Sequence, residues 1–171
     1  MRAVELDDAQ FLSSLINDPQ ITETIGAYSL IYPVSIDEER KWILQTQSRT
    51  DEKHMIIEMI KNHSPIGIIT LKNIDKRNAS AHLGLLIGQE YWDKGYGTEA
   101  IIELLETAFE KMNMRRIWLK VDEENARAIR CYEKCGFVFE GVLRQDHIKD
   151  GEWKSSLIMS ILRHEFERVK I

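Results

Sequence analysis

Between Thr98 and Met112 the apolar residues Ala100, Ile101, Leu104, Leu105, Ala108, Phe109 and Met112 recur at steps of three and four. That is the period of a helix with one face turned to a core. "SIDEERKWILQTQ", residues 35–47, repeats the period, with Trp42 and Ile43 on the inner face. Ser35 with Glu38 three later marks the start of that helix as a capping box. "DDAQFLSSLIND" reads as an earlier helix ending near Pro19, and Asn125 to Lys134 as a later one stopped by Gly136. Elsewhere the period is two. "RAVEL" opens the chain as a strand; "HMIIEMI" and "PIGIITLKNI" flank the turn "KNHSP"; "ASAHLGLLIG" and "RRIWLKV" follow. "FVFEGVLRQDHI" and "EWKSSLIMSIL" form a hairpin around "KDG".

The order is mostly strands, with one strand–helix–strand–helix–strand run in the second half. It predicts an α/β (α+β) domain with a central, largely antiparallel sheet and some parallel pairing. The 171 residues carry no repeat and no flexible linker, so one domain spanning 1–171 is expected. A formal net charge of -5 argues against a duplex nucleic-acid binder and leans towards cationic small molecules or basic peptides. No apolar run reaches bilayer-spanning length, and "MRAVELDDAQ" lacks the basic and apolar blocks of a signal peptide. No membrane or nucleic-acid partner is expected, and a cytoplasmic location is. Cys131 and Cys135 stand four apart on a predicted helix. They read as a redox pair, a metal half-site or, the favoured reading, two small apolar residues, since no further cysteine completes a thiolate metal site.

"YWDKGYGTEA", residues 91–100, places Gly95 and Gly97 before the clearest helix. Glycine there lets backbone approach a ligand, and the free N–H groups of a helix start favour an anion. A plain tight turn is the competing reading. Neither the G-x-G-x-x-G fingerprint nor the P-loop is present. Further on, "ENARAIRCYEKCGF" puts Asn125 at a helix start and Tyr132 two turns later on roughly the same face. Taken alone, these are a cap and an amphipathic edge residue.

Together the two stretches resemble the GCN5-related N-acetyltransferase (GNAT) family. "WDKGYGT" looks like its pyrophosphate loop, and the "N-x-R-A-I-x-x-Y-x-K-x-G-F" run like its second cofactor motif. "YPVSIDEERKW" and the "EGVLRQDHIKDGEWKSSLIMSIL" ending extend the likeness over almost the whole chain. They point to the branch holding ribosomal-protein N-terminal and spermidine acetyltransferases. The resemblance implies a sheet of about seven strands with helices on both faces, splayed between strands four and five. It implies acetyl-CoA as co-substrate, no metal, and a primary amine as acceptor, either a protein N-terminus or a small amine. The diphosphate is expected on the loop of Trp92, Lys94, Gly95, Tyr96, Gly97 and Thr98. Leu86 and Ile87 would meet the pantetheine arm and acyl carbonyl, and Asn125, Arg127, Ala128 and Arg130 the rest of the cofactor. Tyr132 matches the tyrosine that protonates the leaving thiolate.

Two positions depart from the family pattern. Trp92 stands where Gln or Arg is usual, and Asp93 brings a carboxylate towards an anion site. On the strand before the loop, where relatives often carry a Glu base, this chain has His82. Its side chain falls on one face with Gly84 and Leu86, opposite Ala81, Leu83, Leu85 and Ile87. A base and a histidine held by a backbone carbonyl are equal readings, with Glu58, Glu140 or a water chain as other candidates. A non-catalytic CoA-binding module is the alternative function. Transfer of a larger acyl group is a third, needing room beside Leu86 and Leu119. The acceptor site is expected in "AYSLIYPVSIDEERKW" and near Asp150, and the terminal hairpin is a candidate homodimer contact.

Overall fold

A computed structural model describes residues 1–24, 33–149 and 151–169. Its strands are β1 (Arg2–Ala3), β2 (Lys53–Glu58), β3 (Pro65–Asp75), β4 (Ser80–Ile87), β5 (Arg116–Asp122), β6 (Val138–Lys149) and β7 (Glu152–Leu162). They form one sheet in the order β1-β2-β3-β4-β5-β7-β6. Every neighbouring pair is antiparallel except β4 and β5. That parallel pair is joined only at Ser80↔Arg116, Ala81↔Ile117 and His82↔Trp118. Beyond it β4 runs on to Ile87 beside β3, and β5 to Asp122 beside β7, so the sheet opens between them.

The helices are α1 (Ala9–Ile16), α2 (Pro19–Thr24), α3 (Ile36–Gln47), α4 (Tyr96–Glu106), α5 (Ala126–Lys134) and α6 (Arg163–Val169). On one face Ile101, Leu104 and Leu105 of α4 and Tyr132 of α5 pack with Leu83, Ile117, Leu119 and Ile161 of the sheet. Each fully buried leucine or isoleucine of that kind contributes roughly 1.5–3 kcal/mol of hydrophobic stabilisation. On the other face Leu12, Leu15, Ile21 and Ile43 of α1, α2 and α3 cover Ile56 and Ile68. Helices therefore lie on both faces, as the family likeness implied.

Local chemistry explains the boundaries. Ser35 Oγ accepts the Glu38 amide while the Glu38 carboxylate accepts that of Ser35, so the expected capping box forms. Helix α5 ends at Gly136, whose φ of 89° is left-handed. Helix α4 departs from expectation at both ends. It begins at Tyr96 because Gly95, at φ 89°, already turns the chain into it. It gives way to a π turn over Thr107–Lys111, which carries Ala108 and Phe109 into the core. Helices α2 and α6 are short, six and seven residues, and too brief to show a period. Among the described residues no helix is long and apolar enough to cross a membrane.

Candidate active site

Where β4 and β5 part, a cavity of about 910 Å³ opens. Twelve of the residues singled out from sequence line it: His82, Leu86, Ile87, Trp92, Gly95, Gly97, Thr98, Asn125, Arg127, Ala128, Arg130 and Tyr132. Lys94 and Tyr96 are not on its wall. Lys94 folds back to donate its ammonium to the Glu90 carbonyl at 2.6 Å, and the Tyr96 ring packs edge-on against Tyr91. Leu119, expected beside an acyl pocket, is sealed in the core. Of the stretch 27–42 and the hairpin around Asp150, where acceptor contacts were expected, residues 27–32 and 150 lie outside the described residues, and residues 33–42 are not on the cavity wall.

The loop after β4 passes twice through the left-handed region, at Asp93 (φ 56°) and Gly95 (φ 89°). Gly95 caps α4 without a side chain, and the first amide bonded back along the helix is that of Glu99, to the Gly95 carbonyl at 3.0 Å. The amides of Tyr96, Gly97 and Thr98 thus precede the helix ladder and form its partially positive end. A Cβ on Gly97 would lie 3.4 Å from both Cys131 Sγ and Ile87 Cδ1. These are ordinary contact distances, so α4, α5 and β4 pack closely around Gly97 without the space itself demanding glycine. On β4, the Gly88 amide bonds the Ile66 carbonyl at 2.9 Å. By the alternation of an antiparallel ladder, Ile87 directs its N–H and carbonyl away from β3, into the opening towards β5.

Trp92 has a structural answer. Its Nε1–H donates to the Ile87 carbonyl at 2.7 Å, and its ring packs against both apolar clusters. Arg127 lies over that ring, its guanidinium carbon 3.1 Å from the centroid. The positive charge absent from position 92 is thereby supplied from α5 and held by a cation–π contact. Burial lowers the Arg127 pKa from its ordinary value, against the raising pull of Asp93 and Cys131. Asp93 thus has a cationic neighbour rather than facing an anion alone.

Asn125 caps α5, its Oδ1 accepting the Ala128 amide at 3.1 Å. Tyr132 is 8% exposed, and its hydroxyl makes no hydrogen bond among the described residues. Burial first, then Cys131 and Cys135, pushes the phenol above its ordinary pKa, so it keeps its proton across the physiological range. His82 packs edge-on against Trp118, ring centroids 4.6 Å apart, where the two strands join. Burial, then Lys72 and Lys120, pushes its pKa down to about 4. It stays neutral at pH 7 and holds an added proton only weakly. Glu58 and Glu140 are engaged elsewhere, by Arg2 and His63 and by Arg116 and Ser160, and neither lines the cavity.

Several lining residues carried no sequence signal. Cys131, read as a small apolar residue, lies on the wall with Sγ 3.5 Å from Thr98 Oγ1. A hydrogen bond from Cys135, with Thr98, Lys134 and Arg127 nearby, lowers its thiol pKa. Lys72, Lys120, Asp122, His147 and Ser156 also border the cavity; they are brought there by register across four strands. Among the described residues no group of three His, Cys, Asp or Glu could hold a metal ion.

A helix start with unbonded amides and a capped Asn–Tyr helix around a gap between parallel strands define a CoA-type acyltransferase fold. The chain belongs to the GNAT family: residues 1–138 match its acetyltransferase domain, and the protein is an N-acetyltransferase. It is 29% identical over 167 residues to spermidine N(1)-acetyltransferase of Vibrio cholerae, covering 97% of this chain and 94% of that one. It is 30% identical over 176 residues to the putative ribosomal N-acetyltransferase YdaF of Bacillus subtilis, covering 99% and 94%. Among solved structures, Vibrio cholerae spermidine N-acetyltransferase in complex with CoA and spermine superposes with a TM-score of 0.89. That match has 28% identity and covers 97% of this chain and 96% of the other.

Proposed function

We propose that the chain acts as a single domain that moves acetyl from acetyl-CoA to the primary amine of a small molecule of the polyamine kind. One observation carries this reading: β4 and β5 separate after three pairs, and the α4 N-terminus and Tyr132 border the cavity so opened. The residues fit the co-substrate. A glycine-capped helix start offers amides to a diphosphate, and Arg127, Arg130 and Lys134 line the same wall as cations. Acetyl-CoA brings an activated thioester, and this chain's groups orient it and move protons.

The Ile87 N–H, turned into the opening, supports the acyl oxygen as charge develops there. The Tyr132 hydroxyl, held protonated by burial and without a hydrogen-bond partner among the described residues, donates to the departing sulfur. Leu86 and Trp92 form apolar wall that excludes water. The amine enters on the sheet face bearing Thr70, Lys72, His82 and Gly84. Support for a small amine comes from relatives named spermidine acetyltransferases along nearly the full chain and from a neighbour holding spermine. Self-association through the sheet edge is part of the proposal. Strand β6 is terminal in the sheet and exposes Val138, Phe139, Val142 and Ile148, with Trp153 exposed on β7. Light scattering of the purified protein reads it directly.

The decisive experiment incubates the protein with acetyl-CoA and polyamines, peptide N-termini, amino sugars and aminoglycoside antibiotics, reading thiol release. Turnover strongest with spermidine or spermine is expected. Turnover confined to peptide N-termini overturns the acceptor assignment. CoA binding without turnover on any amine overturns the catalytic reading in favour of a CoA-binding module.

A further inference from the structure

Strands β5, β6 and β7 carry a buried polar cluster on the cavity wall that the chemistry above leaves unused. His147 and Asp122 are each 7% exposed, and both border the cavity. His147 Nε2 and Asp122 Oδ2 face each other at 3.4 Å. Both atoms are buried without a hydrogen-bond partner among the described residues. Native structures rarely leave two such atoms in contact without a hydrogen bond, because each gives up water without gaining one.

The neighbouring bonds determine the tautomer. Ser156 Oγ lies 2.8 Å from Asp146 Oδ2 and 3.3 Å from His147 Nδ1. Asp146 is ionised, its pKa lowered chiefly by the hydrogen bond from Lys120, so it only accepts. The single serine hydrogen therefore goes to Asp146, and the serine oxygen must accept from Nδ1–H. The neutral ring then presents a lone pair at Nε2 to a carboxylate oxygen. A proton on Nε2 turns a repulsive contact into an attractive ion pair.

The charged groups nearby are Asp146 and Lys149 of its own strand, Asp122 and Lys120 of β5, Lys154 and Glu152 of β7, and Glu124 after β5, tied to one another in ion pairs. Of these, Asp122 and Asp146 pair with the ring itself, at 3.4 and 3.9 Å. Lys149 forms an ion pair with the same Asp122 oxygen at 3.5 Å and offsets part of its charge, but makes no hydrogen bond there.

We propose that His147, backed by Asp122, takes up the proton that the acceptor ammonium must lose before it can attack. This rests on the amine-acetylating function proposed above. An N–H bond of the ammonium breaks and its electron pair stays on nitrogen. The proton joins Nε2, directly or through one water, and the imidazolium is held between Asp122 and Ser156. His82, flanked by Lys72 and Lys120, has no carboxylate among the described residues acting on its charge.

Two measurements test it. Nitrogen-15 NMR of the free protein, with His147 assigned through His147→Gln, should show Nδ1–H in the neutral ring and a second proton on acidification. A neutral ring protonated at Nε2 overturns the assignment whatever the activity. In kinetics, His147→Gln should lower kcat/KM at neutral pH roughly 100-fold and abolish the acid limb of the profile. Asp122→Asn, which keeps the oxygen accepting the Glu124 amide, should move that limb to lower pH. A limb unchanged in His147→Gln, or an equal loss at every pH, overturns the assignment. Failure of the wild type to acetylate any amine refutes the parent function instead, and leaves the tautomer measurement to decide on His147.

Discussion

Replacing Tyr132 by Phe separates two roles of one side chain. The ring packs in the main core, 5.8 Å from the Phe137 ring, and Phe keeps that packing. The hydroxyl has no hydrogen-bond partner among the described residues, so its removal breaks no internal bond. A satisfied hydroxyl lost from a core costs about 1–3 kcal/mol, whereas an unpartnered one costs little to remove. Stability of Tyr132→Phe should therefore stay within about 1 kcal/mol of the parent, or about 3 °C in Tm for a chain this size. Proton donation to the leaving sulfur is worth about 10²–10⁴-fold, so kcat should fall by at least about 100-fold with little change in KM for acetyl-CoA. The phenol pKa is raised, so the wild type should lose stability as pH climbs above about 10, where the unfolded chain ionises first. Tyr132→Phe should lack that component. Urea denaturation at pH 7 and pH 10.5, with thiol-release kinetics on the same samples, reads all three. A loss above about 2 kcal/mol at pH 7 would show the hydroxyl to be a structural donor. A wild-type kcat would remove it from the chemistry.

Trp92→Leu removes both the platform beneath Arg127 and the bond to the Ile87 carbonyl. KM for acetyl-CoA should rise about tenfold, consistent with a cation–π contact of about 1–2 kcal/mol, while kcat changes little. Burial, with Lys72 and Lys120, depresses the His82 pKa to about 4, so the stability its neutral ring contributes is complete above about pH 6.5 and lost as pH falls towards 4. His82→Gln should flatten the acid side of the stability profile between those values, as measured by urea midpoints. Cys131, with its lowered thiol pKa on the cavity wall, should react with iodoacetamide faster than Cys135, and CoA should slow it. Equal rates by peptide mass spectrometry would refute that ordering.

Most of the architecture was legible because its signals are local. The period of α4, the Ser35–Glu38 box and the Asn125 cap each lie within one element, and each recurs in the structure. The loop and the Asn–Tyr helix were legible for the same reason. What was hidden depends on register. Whether Trp92 leaves the loop without a cation depends on where Arg127 falls after β5 and a turn. His147 and Asp122 are 25 positions apart, and sheet register alone brings them within 3.4 Å. The alternation of "FVFEGVLRQDHI" even misleads, since the register of β6 against β7 shifts between Phe139 and Gly141 and again between Leu143 and His147. The second shift precedes the buried His147, in a strand otherwise exposed over most of its length.

The same opening in the sheet explains why unlike charges can share one cavity. Arg127, Arg130 and Lys134 project from α5, which covers one face; Asp122, His147 and Ser156 belong to strands whose polar row lies on the other. A polyanion and a cationic amine need opposite surroundings, and in a continuous sheet the backbone ladder would wall them apart. Only where β4 and β5 lack mutual hydrogen bonds can a thioester held from the first side meet a nitrogen held from the second. The N–H and carbonyl groups left by that missing ladder are then the natural means of holding it. Separation of the strands therefore accounts at once for the cavity, for its free backbone donors and for the meeting of the two substrates.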